Sequence, residues 1–269
     1  MQLLFQWAIF VAAGLIFSTA CVSPKKDGDK KVIHLLKPGN FYSYVQGFGV
    51  NKDPDKVFSW EKNILHISGE HYGYLATRQT NFANYKLVAE YKWGEKTCPP
   101  RETNACDSGV LVHCVGTDPK PTASWIWPTC LEAQIIEGGT GDILVVSGAK
   151  LTVDGVTKGP RTDRFDRPGR NPWKDEKGFR GPNEIESPTG QWNLLEILCE
   201  GYKIEYRVNG HTTLTGTNAI PQMGKILVQS EGAEIFFRRL DLYPLPGSRE
   251  SSRFAPHASR ARSPTRLIK

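Results

Sequence analysis

Two apolar segments near the middle of the chain carry polar side chains that a plain core strand would lack. The segments are Gly109–Val115 and Leu131–Ile136, and their length and β-branched content are typical of buried strands. Because successive strand residues point to opposite faces, Glu132 and Gln134 share one face of the second segment. A carboxylate and an amide on one sheet face predict a polar groove. The alternative is a solvated face, since antiparallel sheets often have one side in water.

Two further residues could transfer protons in such a groove. A regular strand would turn Glu137 away from Glu132, and a β-bulge near Ile135–Ile136 would return it to the same face. His113 has a side chain whose ordinary pKa lies near neutrality, although a histidine in an apolar strand can also be purely structural. The candidate catalytic residues are therefore Glu132, Glu137 and His113.

Other residues could bind a substrate without transferring protons. Gln134 and Gln229 can donate hydrogen bonds to a carbonyl or hydroxyl group, and Arg78 or Arg238 could hold an oxyanion. Arg238 could instead form a cross-strand ion pair. Trp125 and Trp127 suit either sugar stacking or core packing. The candidate binding residues are Gln134, Asp107, Ser108, Trp127, Gln229, Arg78 and Arg238.

The sequence predicts no metal site and no cofactor. No paired cysteine or histidine spacing is typical of zinc, although Asp107, Glu132 or Asp142 could offer oxygen ligands. In an oxidising compartment, a disulfide between Cys98 and Cys106 is plausible. Cys114 and Cys199 lie inside apolar runs, which favours buried free thiols.

Short strands must position these residues, because no helical stripe of useful length is present. Tyr85–Trp93 alternates apolar and polar residues, and Trp192–Cys199 with Tyr202–Val208 reads as a hairpin. Many such strands with turn signals between them predict an all-β sandwich or jelly roll. The segment Thr157–Gly190 has no periodicity, and a loop of that length is usually functional or disordered.

Composition divides the 269 residues into four parts. Residues 1–20 are apolar and end in small residues, which predicts a signal peptide or an anchor. Residues 21–40 form a polar linker, and Cys21 resembles the lipidated cysteine of bacterial lipoproteins. Residues 41–246 form the β-sandwich domain, and residues 247–269 a basic, disordered tail.

The charge distribution and the targeting signals limit the partners and the cell compartment that can be expected for this chain. Much of the formal charge of +6 lies at the chain ends, and no stripe of basic and aromatic residues predicts nucleic-acid binding. The N-terminal segment predicts export to the periplasm, the cell envelope or the medium, with membrane anchoring through Cys21 as an option.

Five segments, in order, resemble the 3-keto-disaccharide hydrolase domain. They are YGYLATRQTNFANYKLVAEYKW, DSGVLVHC, LEAQIIEGGTGD, GQWNLLEILCEGYKIEYRVNG and KILVQSEGAEIFFRRLDLYPL. The resemblance implies a concanavalin-like jelly-roll sandwich of two antiparallel sheets, in an exported bacterial protein acting on 3-keto sugars. This chain has Asp107 where the family commonly has Asn, and Glu231-Gly232 where it often has His-Gly.

The segment from Glu132 to Glu137 also resembles the E-x-D-x-x-E strand of the laminarinase-like glycosidases. In that family the outer carboxylates act as nucleophile and acid/base, whereas Gln134 occupies the middle position of this chain.

The resemblance implies an exported carbohydrate-active enzyme that cleaves 3-keto glycosides. The carbonyl at C3 acidifies the C2 proton, so cleavage by elimination and hydration needs a base, an oxyanion stabiliser and an acid for the leaving group. Direct hydrolysis of the glycosidic bond is a second route. The alternatives are a laminarinase-like retaining glycosidase using Glu132 and Glu137, a non-catalytic lectin-like module and a structural surface protein, since a fold does not fix function.

Overall fold

The computed structural model describes residues 31–246, which form β-strands joined by turns and one 3-10 turn at Pro38–Asn40. The strands are β1 (Ile33–His34), β2 (Phe41–Val45), β3 (Gly49–Val50), β4 (Phe58–Glu61), β5 (Ile64–Ile67), β6 (Gly73–Thr77), β7 (Tyr85–Thr97), β8 (Asp107–Val115), β9 (Thr129–Ile136), β10 (Ile143–Val146), β11 (Lys150–Val153), β12 (Val156–Lys158), β13 (Asp163–Phe165), β14 (Asn193–Glu200), β15 (Lys203–Val208), β16 (His211–Ile220), β17 (Lys225–Ser230) and β18 (Ala233–Pro244).

These strands build two antiparallel sheets. The ten-stranded sheet has the order β12-β11-β16-β15-β14-β7-β18-β5-β4, with β1 pairing on β18. The eight-stranded sheet has the order β13-β10-β9-β8-β17-β6-β2-β3. Strands distant in sequence are neighbours in both sheets, as in a jelly roll. The prediction of an all-β, two-sheet jelly roll is confirmed.

The main core lies between the sheets and is filled by one face of each strand. In β14, Leu195, Ile197 and Cys199 are fully buried, while the residues between them are less so. This alternation is the period of two that a half-buried strand requires. The hairpin predicted across Glu200-Gly201 is confirmed by the pairing of β14 with β15.

A second, smaller apolar cluster lies on the other face of the eight-stranded sheet. It is covered by the loop of residues 116–128, which contributes Ile126 and Trp127, and it contains Tyr44, Tyr74, Leu111, Cys130, Val146 and Leu227. Asp118 of the loop accepts hydrogen bonds from the hydroxyls of Tyr42 and Tyr74, both at 2.8 Å. The loop therefore covers one end of this face and leaves the rest open.

The long segment predicted between Thr157 and Gly190 contains the short strands β12 and β13 and is otherwise a packed loop. Asp142, fully buried beside β10, lies 2.8 Å from the Nε of Arg170 and accepts a hydrogen bond from the backbone of Arg167 at 2.7 Å. The contact with Arg170 is an ion pair, since it is not aligned as a hydrogen bond. A buried carboxylate thus fastens the segment to the sheet.

Two local predictions are wrong. Ile135 and Ile136 pair regularly with Ser108 and Asp107, so β9 has no bulge there. The irregularity lies in β8 between Val112 and Val115. Cys98 and Cys106 are both free thiols, so the proposed disulfide is absent. The prediction of buried free thiols at Cys114 and Cys199 is confirmed.

The signal peptide or anchor, Cys21, the first half of the linker and the basic tail fall outside residues 31–246. Within that range, no helix has the length and apolar character needed to cross a membrane.

Candidate active site

A cleft of about 130 Å³ opens on the face of the eight-stranded sheet that the 116–128 loop leaves uncovered. Its lining combines acids, amides, one arginine, two tryptophans and aliphatic residues: Asp107, Trp125, Trp127, Glu132, Gln134, Leu144, Val146, Thr162, Arg164, Gln229 and Glu231.

Strand register brings the central residues together. In the pairing of β8 with β9, Gly109 lies opposite Gln134 and Leu111 lies opposite Glu132. The pairing of β17 with β8 carries Gln229 to the other side of Gly109. A Cβ on Gly109 would overlap the Oε1 atoms of Glu132 and Gln229. The glycine therefore lets a carboxyl and an amide from two strands lie over β8.

Asp107 stands at the start of β8, beside the amide of Gln134. The Nε2 of Gln134 donates to its Oδ1 at 2.5 Å, and the Nη2 of Arg101 lies 3.5 Å from its Oδ2. Burial raises the pKa of Asp107 to about 7, against the opposing effect of Arg101 and Arg164. The amide hydrogen bond fixes the orientation of a carboxyl group that is poised between its two protonation states.

Glu132 and Glu231 complete a cluster of three carboxyl groups. Glu132 is 3% exposed, and burial together with the negative charge of Asp107 raises its pKa to about 8. The pKa of Glu231 is also raised, by burial and by its two acidic neighbours. Because the groups interact, their protons belong to the cluster rather than to single residues. Near neutral pH the cleft holds both a carboxylic acid and a carboxylate, the pair that general acid–base catalysis requires.

Arg164, on the edge strand β13, supplies the positive charge of the cleft lining. It lies on β13 opposite Leu144, which in turn pairs with Glu132. Its guanidinium, 3.6 Å from the carboxylate of Asp142, lowers the pKa of Asp107 and Glu132. It is placed to interact with a negative charge that develops on a substrate.

Sequence reasoning missed Arg164, Arg101 and Glu231 as site residues. Arg164 lies in the non-periodic segment, where no pattern assigned a strand or a face. Glu231 was noted only as a departure from the family's usual His-Gly. Its place two residues after Gln229, at the end of an alternating strand, is the signal that could have found it.

Of the predicted site residues, Glu132, Gln134, Asp107, Trp127 and Gln229 line the cleft together. Gln134 is 2% exposed and Gln229 1%, so both amide side chains are buried rather than solvated. Trp127 packs against Tyr74, with ring centroids 6.4 Å apart.

Glu137 does not line the cleft. Without a bulge in β9, its carboxylate points away from Glu132. Its Oε2 instead accepts hydrogen bonds from the backbone N–H of Gly178, at 2.9 Å, and of Cys106, at 3.4 Å. The residue holds the long segment against the end of β9.

His113 also lies outside the cleft. It is fully buried, its ring packs edge-on against Tyr85, and its Nδ1 lies 3.1 Å from the carbonyl oxygen of Pro221. Burial lowers its pKa to about 4, so the ring is neutral near pH 7. The irregularity of β8, where His113 has a φ of 55°, removes it from the alternation that the sequence implied.

The three remaining predicted residues are not in the cleft lining either. Ser108 is buried and donates to the backbone carbonyl of Gln229 at 3.0 Å. Arg78 is exposed just after β6. Arg238 belongs to the ten-stranded sheet, where it pairs with Glu90 and stacks on Trp192. The sequence did not reveal which sheet each strand joins.

Among residues 31–246, no group of three or more histidine, cysteine, aspartate or glutamate side chains could hold a metal ion. Asp142, considered as a ligand together with Asp107 and Glu132, is paired with Arg170 instead.

A family model described as the 3-keto-alpha-glucoside-1,2-lyase-like domain matches residues 40–242. The match runs from β2 to β18 and includes every residue of the cleft lining. The search of curated proteins found no match.

Similar solved structures include a candidate glycosyl hydrolase from Parabacteroides distasonis ATCC 8503, with 19% identity, coverage of 80% of this chain and 100% of the other, and a TM-score of 0.49. The β-glucanase of Bacillus licheniformis has 13% identity, coverage of 82% and 100%, and a TM-score of 0.45. LamAcat from Zobellia galactanivorans has 8% identity, coverage of 80% and 96%, and a TM-score of 0.46.

Proposed function

The chain belongs to the family of the 3-keto-alpha-glucoside-1,2-lyase-like domain, and we propose that it cleaves 3-keto glycosides by elimination followed by hydration. The observation that carries the proposal is the juxtaposition of two buried carboxyl groups, Asp107 and Glu132, in the lining of one cleft. Two carboxyl groups that titrate near neutral pH can serve as base and acid in the same turnover.

The keto sugar binds in the cleft against the ends of Glu132 and Gln229, which lie over Gly109. Gln134 holds Asp107 from one side through its 2.5 Å hydrogen bond. Asp107, as the carboxylate, takes the proton from C2. The electron pair of the broken C–H bond forms an enolate whose negative charge rests on the C3 oxygen.

Arg164 and the Gln229 amide stabilise this enolate as donors in a site of low dielectric constant. The enolate then reforms the C3 carbonyl, a double bond forms between C1 and C2, and the bond from C1 to the leaving oxygen breaks. Glu132, as the carboxylic acid, gives its proton to that oxygen.

Water enters as the leaving group departs, exchanges the proton held by Asp107 and adds to C1 of the unsaturated sugar. The Glu132 carboxylate takes the proton that the added water loses, and C2 takes a solvent-derived proton from Asp107. The balance is one water consumed for one glycosidic bond broken, with no change of oxidation state, and both carboxyl groups return to their starting protonation.

Contacts of Glu137 argue against a retaining glycosidase that uses it with Glu132. Such an enzyme needs its two carboxyl groups about 5 Å apart across one glycosidic bond. The carboxylate of Glu137 is occupied by two backbone N–H groups outside the cleft.

The test is incubation of the purified protein with a panel of 3-keto glucosides and their unoxidised parents, with the released alcohol measured. Turnover of keto substrates alone is the expected result, because only they have an acidified C2 proton. Equal turnover of the parents would replace elimination by direct hydrolysis. Binding without turnover of any sugar would identify a lectin-like module.

Export to the periplasm, cell envelope or medium is a further part of the proposal, supported by the apolar run of residues 1–20. Fractionation of cells producing the full chain and its Cys21→Ser variant tests it. The expected result is export of both, with membrane association of the parent chain alone if Cys21 is lipidated. Retention of the parent chain in the cytoplasm would contradict the proposal.

A further inference from the structure

Trp125 is an unusual residue of the cleft lining because half of its surface, 51%, is exposed. Large aromatic side chains dominate the energetics of cores and interfaces, and an exposed one at the mouth of a polar cleft has apolar area to bury. The other tryptophan of the lining, Trp127, packs against Tyr74 and is only partly exposed.

The one polar group of the Trp125 indole, its Nε1–H, forms hydrogen bonds within the protein. Its Nε1 lies 2.7 Å from the Oγ of Ser147 and 3.0 Å from the carbonyl oxygen of Trp127, and it donates to both. The exposed area therefore belongs to the apolar ring. Two hydrogen bonds also fix the ring plane, so a ligand that stacks on it would not have to order a mobile side chain.

Strand register gives the distance of this ring from the carboxyl cluster. Leu144 of β10 lies opposite Glu132, and Val146 lies opposite Cys130. Trp125 is anchored to Ser147, directly after Val146. Each residue of an antiparallel strand spans about 3.4 Å, so Ser147, three residues after Leu144, lies about 10 Å along the chain from the position opposite Glu132. Asp107 lies toward the opposite end of β9, where its strand pairs it with Ile136.

We propose that Trp125 is the platform on which the leaving group stacks when it is a second sugar ring, as in the keto disaccharides that the family resemblance implies. The inference rests on the proposed function, since it takes Glu132 as the acid that protonates the leaving oxygen. With the keto ring against the ends of Glu132 and Gln229, the glycosidic oxygen lies at Glu132 and the next ring over Trp125. The C–H face of a pyranose matches the electron-rich face of an indole.

The experiment compares two substrates that share the 3-keto ring and differ in the leaving group, one methanol and the other glucose. Trp125→Ala should lower kcat/KM for the keto disaccharide by about tenfold, mainly through KM, which corresponds to about 1.4 kcal/mol for the lost ring contact. The methyl substrate should change less than twofold. An equal loss on both substrates would overturn the proposal.

Trp192→Ala is the matched control. Trp192 stacks on Arg238 and Lys92 in the ten-stranded sheet, so its loss should leave the ratio between the two substrates unchanged. If Trp192→Ala shifts the ratio of kcat/KM between the two substrates as Trp125→Ala does, the proposal is also overturned.

A binding measurement separates this inference from the proposed function. If the parent protein turns over neither substrate, the proposed function fails. The platform is then judged by the change in tryptophan fluorescence on adding the unoxidised disaccharide. A change in the parent protein that Trp125→Ala abolishes supports the platform, and no change, or one that persists in the variant, overturns it.

Discussion

Glu132 shows how a single position in a strand can become a reactive group. Its neighbours in β9, Leu131 and Ala133, face the core, and the alternation of the strand turns Glu132 to the cleft. Burial and the charge of Asp107 both favour its protonated form. The residue is therefore held as an acid at a pH where an exposed glutamate would be ionised.

Replacement of Glu132 by Gln tests this role directly. The shape and volume of the side chain hardly change, so the fold should be kept, while turnover should drop by about 10²-fold or more, as on loss of a general acid. Melting temperature and turnover are measured on the same sample. Glu137→Gln is the control, and its specific activity should be close to that of the parent protein because Glu137 lies outside the cleft. A Glu132→Gln protein that melts early but keeps its specific activity would contradict the assignment.

The same group makes stability depend on pH. The pKa of folded Glu132 is raised to about 8, whereas an unfolded glutamate titrates near pH 4.3, roughly the model-peptide value. Between these values the folded protein holds a proton that the unfolded chain has lost, so the free energy of unfolding falls as pH rises through this window. Glu132→Gln should gain stability relative to the parent protein between pH 5 and 8, roughly that window.

Thermal unfolding of both proteins across that range is the measurement. Glu196→Gln, a change on the exposed face of the ten-stranded sheet, is the control and should show little change in slope. A constant difference in melting temperature between Glu132→Gln and the parent protein would show that Glu132 is ionised throughout.

Gly109 tests the placement of the two side chains against which the keto ring is proposed to bind. In Gly109→Ala the new Cβ would overlap the Oε1 atoms of Glu132 and Gln229, which are both buried, so both side chains must shift and some stability should be lost. Displacement of catalytic groups by about 1 Å can cost about 10²-fold in rate. Gly39→Ala, where a Cβ meets nothing within 4 Å, is the control. Parent-like turnover in Gly109→Ala would exclude this binding position.

Alternation alone predicted which residues of β9 face the cleft, because side-chain direction in a regular strand is a property of the local chain. The same rule failed for His113, because the irregularity of β8 depends on the pairing of that strand with β9 and β17. Arg238 was misplaced for a related reason. Its strand was predicted, but membership of the ten-stranded sheet depends on long-range pairing with β7 and β5.

Among the larger elements, the segment between β13 and β14 is the one that sequence periodicity described least. It packs through buried polar contacts rather than an apolar stripe. The carboxylate of Glu186, for example, accepts from the hydroxyl of Tyr91 at 2.6 Å and from the Nε1 of Trp93 at 3.0 Å. A pattern of hydrophobic residues cannot reveal an element that is held in this way.

Arg170→Met should therefore destabilise the protein strongly. It leaves the fully buried carboxylate of Asp142 without its nearest cation, and breaking a buried pair in this way costs about 3–5 kcal/mol. The free energy of unfolding from urea titration is the measurement. Arg207→Met removes a half-exposed partner of Glu205 and should cost less than about 1 kcal/mol. Equal losses would mean that Asp142 does not depend on Arg170.

At the scale of the whole molecule, the two sheets have different tasks. The ten-stranded sheet buries one face and presents ion pairs such as that of Lys86 with Glu196 on the other. The eight-stranded sheet is buried on both faces along β8 and β9, and the 116–128 loop covers part of its second side. The strands of the eight-stranded sheet thus form the base of the cleft, and loop residues such as Trp125 and Trp127 line its side.

The central claim is that cleavage begins with removal of the C2 proton by the carboxyl cluster. A 3-keto glucoside with deuterium at C2 tests it most directly, with the keto sugar product analysed by mass spectrometry and a sample without protein correcting for spontaneous exchange. The account predicts that the parent protein releases a product without the label, and that Asp107→Asn slows this release by about 10²-fold, the scale of a lost general base. A product that forms at the full rate and retains deuterium at C2 would contradict it.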